Sequence, residues 1–154
     1  MPARTFKFRL QTVLEYKIRC EENEQRILAE KKEILAREEG KLHALKSLKD
    51  ERQRELMEKS EKGILNIVEL KMYHEQQKQL RKDIAAQEIR VQQASADVEI
   101  QRQKLLEATK EKKTYEKLKE KHHEEYLVEV AADEQKLLDE IATTKFDREN
   151  RHPF

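Results

Sequence analysis

The chain has no tryptophan, a single cysteine, two glycines and two prolines in 154 residues. Each shortage excludes something. One thiol, Cys20, cannot form an internal disulfide. It reads as a small apolar residue on a packed helix face in a reducing compartment. The prolines stand at positions 2 and 153, so every residue between them keeps its backbone donor and nothing there breaks a helix. Two isolated glycines, Gly40 and Gly63, cannot build a loop that cradles phosphate. No run approaches the ~18 apolar residues of a membrane span. The N-terminus has no contiguous apolar stretch of the kind that marks a secretory signal. A cytosolic chain without membrane insertion is expected. Charge of one sign is lacking too: 33 basic residues stand against 32 acidic ones, for a formal net charge of +1. That balance argues against a dedicated nucleic-acid binder and against a general electrostatic membrane anchor.

What is present is charge: 42% of the residues are charged and only 36% are hydrophobic. A compact globule of this length needs more large apolar side chains to offset the entropy of folding. Such a composition fits either disorder or a long helix. The scarcity of Gly and Pro, and the abundance of Glu, Lys, Leu, Gln, Arg and Ala, favour the helix.

Leu14, Leu28, Leu35, Leu42 and Leu56 share one seven-residue register, interrupted by Glu21 and Lys49. Val13, Cys20, Ile27, Ile34 and Leu48 occupy the register one residue earlier, interrupted by Lys41, and Leu10 and Leu45 add part of the spacing of four. Farther on, Ile84, Val91, Ala94, Val98, Leu105, Ala108 and Tyr115 alternate by three and four, with Gln87, Gln101 and Lys112 as polar members. The stripe continues less cleanly through Leu118, His122, Tyr126 and Val130 to Leu137 and Ile141. A seven-residue repeat marks supercoiling helices, and a narrow stripe means one partner face.

The two halves meet around Gly63, a good helix stop, and Asn66 followed by Glu69 reads as an N-cap with a reciprocal partner. The pattern predicts an all-α fold in a single domain: helix one near 6–61, a turn near 62–65, and helix two near 66–148. A short turn between long helices makes them antiparallel neighbours. Charge agrees: residues 1–20 hold five basic residues against one acidic, and residues 124–149 hold nine acidic against three basic. The lengths differ by roughly 25 residues, or ~40 Å. With a tight turn at Gly63, Leu10 faces the stretch near Lys119 and the acidic end overhangs. With a separate short segment over 64–74, the acidic end comes closer. Ile64, Leu65, Ile67, Val68, Leu70, Met72 and Tyr73 make that segment the most apolar in the chain. They either cap the tip against Leu56 and Met57 or stay exposed for a partner.

Catalytic patterns fail one by one. Ser47, Ser60 and Ser95 lie on or beside exposed helices with no pocket to desolvate a nucleophile. None of His43, His74, His122, His123 and His152 forms an i, i+4 pair for zinc. Glu120-Lys-His-His123 fits one Glu-x-x-His motif, but dimetal bundles need two such motifs and two further glutamates on four helices. Neither an enzyme nor a metal or cofactor site is expected.

Phe6-Lys-Phe-Arg-Leu-Gln-Thr-Val-Leu-Glu-Tyr-Lys17 resembles the start of the FliJ family, a small cytoplasmic component of the bacterial flagellar type III export apparatus. The length, the central glycine turn and the acidic Lys136-Leu-Leu-Asp-Glu140 stretch agree with it. The resemblance implies a long antiparallel two-helix coiled-coil hairpin similar to the rotor stalk of rotary ATPases. It implies that the terminal end enters the hexameric export ATPase ring and promotes its assembly and activity. It also implies that the opposite region contacts the transmembrane export gate protein at the inner-membrane face, and that export chaperones bind and are recycled. On this analogy Phe6, Phe8, Leu10, Val13, Leu14, Leu137 and Leu138 serve the ATPase end. Leu45, Leu48, Tyr73 and Leu80 are candidates for the gate or chaperones. Core packing is the competing account of each leucine. The alternatives are the equivalent stalk of a virulence secretion system, from the related YscO family, and a purely structural or stator coiled coil.

Overall fold

A computed structural model describes residues 4–151. Two helices account for most of them, α1 over Gln11–Glu61 and α2 over Ile67–Arg151. No strand occurs among the described residues. Both prolines and His152 lie outside these limits. Contacts divide the chain into two units, Glu21–Glu107 and Met1–Cys20 with Ala108–Phe154.

In the unit Glu21–Glu107, α1 turns back into α2 through the segment that contains Gly63. Gly63 has φ +66°, the left-handed conformation that a side chain disfavours. Its amide donates to the Ser60 carbonyl at 3.2 Å and the Ile64 amide to the Lys59 carbonyl at 3.2 Å. These two bonds satisfy carbonyls that the end of a helix leaves bare. Asn66 Oδ1 then accepts from the Glu69 amide at 2.8 Å and starts α2. Only that half of the expected reciprocal cap is formed, and Glu69 Oε2 is buried without a hydrogen-bond partner. Because α2 is continuous from Ile67, no separate short helix exists over 64–74. The tight-turn alternative is therefore the one adopted.

The same unit shows the antiparallel pairing directly. Gln77 Nε2 donates to the Lys49 carbonyl, Gln87 Nε2 to Glu38 and Gln101 Nε2 to Glu24. Moving from Glu24 to Glu38 on α1 moves the partner by the same two heptads backwards on α2. The anticipated seam of α2 is the packed one: Gln87, Ala94, Val98 and Gln101 are buried, and Ile84, Val91 and Leu105 half-buried. On α1, Leu28, Leu35, Leu42 and Leu56 are half-buried as expected, whereas Ile34 and Leu48 of the neighbouring register are exposed. The second seam row of α1 is instead Glu24, Lys31, Glu38, Leu45 and Arg52, all half-buried. Each lies three residues after or four before a member of the leucine row's seven-residue register, which is the spacing that a supercoiled face requires.

In the other unit, α1 begins at Gln11 rather than near residue 6, which corrects the expected start. Residues 4–8 form neither helix nor strand and lead into a turn closed by the Gln11 amide on the Phe8 carbonyl at 3.1 Å. The spacing of the aromatics explains this. Phe6 and Phe8 are two residues apart, so on a helix they would point some 200° apart, whereas on an extended chain they share a side. Here too the pairing is antiparallel: Lys17 Nζ meets Glu111 Oε2 at 2.7 Å, and Phe8 meets His122. The helices differ by more than expected, 85 residues against 51. Every described residue of α2 from 131 onward is exposed.

Among the described residues no large side chain is fully buried, and the most enclosed apolar ones are Phe8, Leu14, Leu80, Ala94 and Val98. A two-helix seam covers one side of each knob and leaves the other wet. Stability is then spread along the length, with i, i+4 pairs such as Arg26–Glu30 and Lys112–Glu116 adding a few tenths of a kcal/mol each.

Candidate interaction surfaces

The N-terminal segment is held against α2 by aromatic contacts. Phe6 stands edge-on to His123 with ring centres 4.9 Å apart and lies 5.5 Å from Tyr126. Phe8 lies 5.7 Å from His122 and is only 8% exposed. The Tyr126 hydroxyl donates to the Arg4 carbonyl, and the Arg4 guanidinium faces Asp133 at 3.8 Å. Leu14, at 4% exposure, is in the seam, while Leu10 and Val13 are half-buried beside it. These five residues therefore act first as packing. Leu137 and Leu138 belong to the same unit but are exposed, some 16 Å along α2 beyond Tyr126. The structure brings Phe6 and Phe8 to His122, His123 and Tyr126, not to the two leucines.

The aromatic partners of Phe6 and Phe8, namely His122, His123 and Tyr126, do not stand out as a group in the sequence. The i, i+2 spacing of the phenylalanines, which suits an extended chain, was the available signal. The single Glu-x-x-His match of Glu120 and His123 thus contains an imidazole that packs on Phe6. No group of three metal-binding side chains occurs among the described residues.

Lys17 retains its proton above the ordinary lysine value. The hydrogen bond to Glu111 is the main cause, partial burial opposes it, and the charge of the same carboxylate assists. In the other unit, the Gln87 amide reaches both the carbonyl and the carboxylate of Glu38, and Gln101 does the same at Glu24. The Gln87 hydrogen bond, aided by Lys41, holds the Glu38 carboxyl below the usual carboxylate value. These two polar layers fell outside the sequence reading, which placed the glutamines in the seam but not their glutamates. The matching signal was the interval, fourteen residues between the glutamines and fourteen between the glutamates.

Of the residues proposed for the gate or chaperones, Leu80 is buried, Leu45 and Tyr73 are half-buried and Leu48 is exposed. Tyr73 is engaged from α1: its hydroxyl donates to Glu55 at 3.5 Å, and Lys59 Nζ lies 5.3 Å from its ring centre. The Tyr73 hydroxyl is also the main cause that raises the Lys59 pKa. Leu48 alone presents an open apolar side chain.

The tip is more open than a packed cap. Ile64, Ile67 and Val68 are 65%, 74% and 68% exposed, and Met57, Leu70 and Met72 are exposed as well. The capping alternative therefore holds only for Leu65 and Tyr73, which are half-buried. Leu56, Met57, Leu65 and Leu70 line an open groove there.

Among the described residues no helix is long and apolar enough to cross a membrane. Residues 6–151 match the family described as flagellar FliJ protein. No curated protein and no solved structure matches the chain.

Proposed function

The chain belongs to the flagellar FliJ protein family, and from that premise we propose that it is a non-catalytic coupling stalk of the flagellar type III export apparatus. Membership makes it a component of that apparatus. The finer task is to bind the hexameric export ATPase with its terminal end and promote ring assembly and hydrolysis. The opposite region meets the transmembrane export gate, and export chaperones exchange on the same protein. It works in the cytoplasm at the inner-membrane face.

The observation that carries this reading is the match over 6–151. Two further features support it. The exposed end of α2 leaves Leu137 and Leu138 free for a partner. Phe6 and Phe8, being packed on α2, serve by holding the neighbouring chain in place. At the gate, Leu48 is the contact and Leu45, Tyr73 and Leu80 support it. The flagellar family match favours this reading over the virulence counterpart.

Hydrolysis and ring formation by the purified export ATPase test the proposal. Added protein should stimulate both, and deletion of residues 1–14 should remove the effect. Absence of stimulation, or full stimulation by the deletion variant, would reject it.

A further inference from the structure

The seam of α2 that faces α1 and the N-terminal segment loses its apolar residues after Tyr126, although Asp133 on the same face still meets Arg4, and a different apolar stripe begins. Continued in the same register beyond Tyr126, the seam positions are Glu129, Asp133, Lys136, Glu140 and Thr143, all polar and all exposed. The apolar residues of this region fall elsewhere: Leu127, Val130, Leu137, Leu138 and Ile141. At about 100° per residue their stripe is centred roughly a quarter turn from the α1-facing seam. It is therefore not a run-on of the intramolecular interface. Four of the five are more than half exposed, Leu127 at 51%, Leu137 at 55%, Leu138 at 60% and Ile141 at 57%, and only Val130 is half-buried.

Spacing and charge define what fits. Steps of three and four residues suit knobs from another helix. Glu134 lies in the middle of the stripe, so docking would enclose its carboxylate, which is costly unless a cation meets it. From Leu127 to Ile141 there are five acidic residues and one basic, Lys136. A second copy of the chain is a poor occupant. Its own stripe would set acid against acid, and most apolar residues of its basic N-terminal stretch are engaged in its own packing, Phe8 and Leu14 buried and Phe6, Leu10, Val13 and Ile18 half-buried.

We infer that α2 from Leu127 to Ile141 is a second coiled-coil seam that takes a basic amphipathic helix of another protein, with a Lys or Arg opposite Glu134. The occupied seam leaves the pairing with α1 intact, because the two faces of α2 differ. The inference deepens the stalk reading, on which it rests only in treating Leu137 and Leu138 as contact residues, by naming the chemistry of the partner.

The test uses the full chain and two designed helical peptides of about three heptads, each with Leu at the a and d positions. One carries Lys and the other Glu at the flanking e and g positions. Fluorescence anisotropy should show the Lys peptide binding about tenfold or more tighter than the Glu peptide. Leu138→Gln with Ile141→Gln should reduce that binding about tenfold, and Glu134→Gln should narrow the preference between peptides. Glutamine keeps helix propensity, and circular dichroism checks that helicity is unchanged. Three results overturn the inference: no binding of the Lys peptide, equal binding by the double variant, or sedimentation showing a homodimer that the double variant loses. No ATPase is present in this assay. A failure here leaves the stimulation experiment standing, and the reverse also holds.

Discussion

The two glycines allow one substitution to be tried in opposite senses. Gly40 lies inside α1 and Gly63 ends the turn after it. A Cβ built at either position meets nothing within 4 Å, so neither Gly40→Ala nor Gly63→Ala adds a clash or a packing contact. What remains is backbone conformation. At Gly40, alanine removes the entropic penalty of glycine in a helix and should stabilise by about 0.5–1 kcal/mol. At Gly63, φ is +66°, where an L side chain costs about 1–2 kcal/mol. The two variants should therefore differ by about 1.5–3 kcal/mol, or by between about 3 and 12 °C in Tm for a chain of this size. Thermal and urea unfolding followed by circular dichroism at the helical minimum measures both. Destabilisation by Gly40→Ala would mean that the glycine is not in regular helix. A neutral Gly63→Ala would mean that the left-handed residue is not required to end α1.

The remaining predictions concern the seam and its polar layers. Gln101→Ala should cost about 1–3 kcal/mol, because the Glu24 carbonyl and carboxylate lose their donor, and Gln87→Ala should add to it independently at ~21 Å along α2; a double-mutant cycle in urea checks the additivity. The Glu38 carboxyl is held below its ordinary value of 4.5 in the folded chain, so its contribution is present above about pH 4.5 and lost as pH falls through the depressed folded value. Acid titration of unfolding stability should show this loss in the wild type and a smaller one in Gln87→Ala. Leu14→Ala, at 4% exposure, should cost about 2 kcal/mol or more, whereas Ile67→Ser, at 74% exposure, should stay within about 0.5 kcal/mol; chemical denaturation distinguishes them.

Much of the fold was legible because helix and supercoil are local and periodic properties. The leucine row from Leu14 to Leu56, the α2 seam from Ile84 to Tyr115 and the stop at Gly63 all follow from spacing and backbone preference, which a linear sequence displays. The family resemblance in residues 6–17 was legible for a different reason, as a pattern of residue types. The candidate contact residues were legible only as apolar side chains. Whether Phe8 faces a partner or packs on His122 depends on which residues of α2 stand opposite it, and no local rule contains that.

The sequence by itself determined that this chain forms two unequal helices with one narrow apolar face and an antiparallel return at Gly63. Tertiary structure decided the register. Once α2 runs unbroken from Ile67, each residue of α1 has one counterpart. Gln87 then meets Glu38, Gln101 meets Glu24, Phe6 and Phe8 lie across two histidines and a tyrosine, and the acidic end extends past the last of them. The reason is physical: a heptad repeat specifies a face but repeats itself every seven residues, so many alignments of two such faces look alike in sequence. Only the turn geometry and the few polar pairs that must find each other distinguish one alignment from the next.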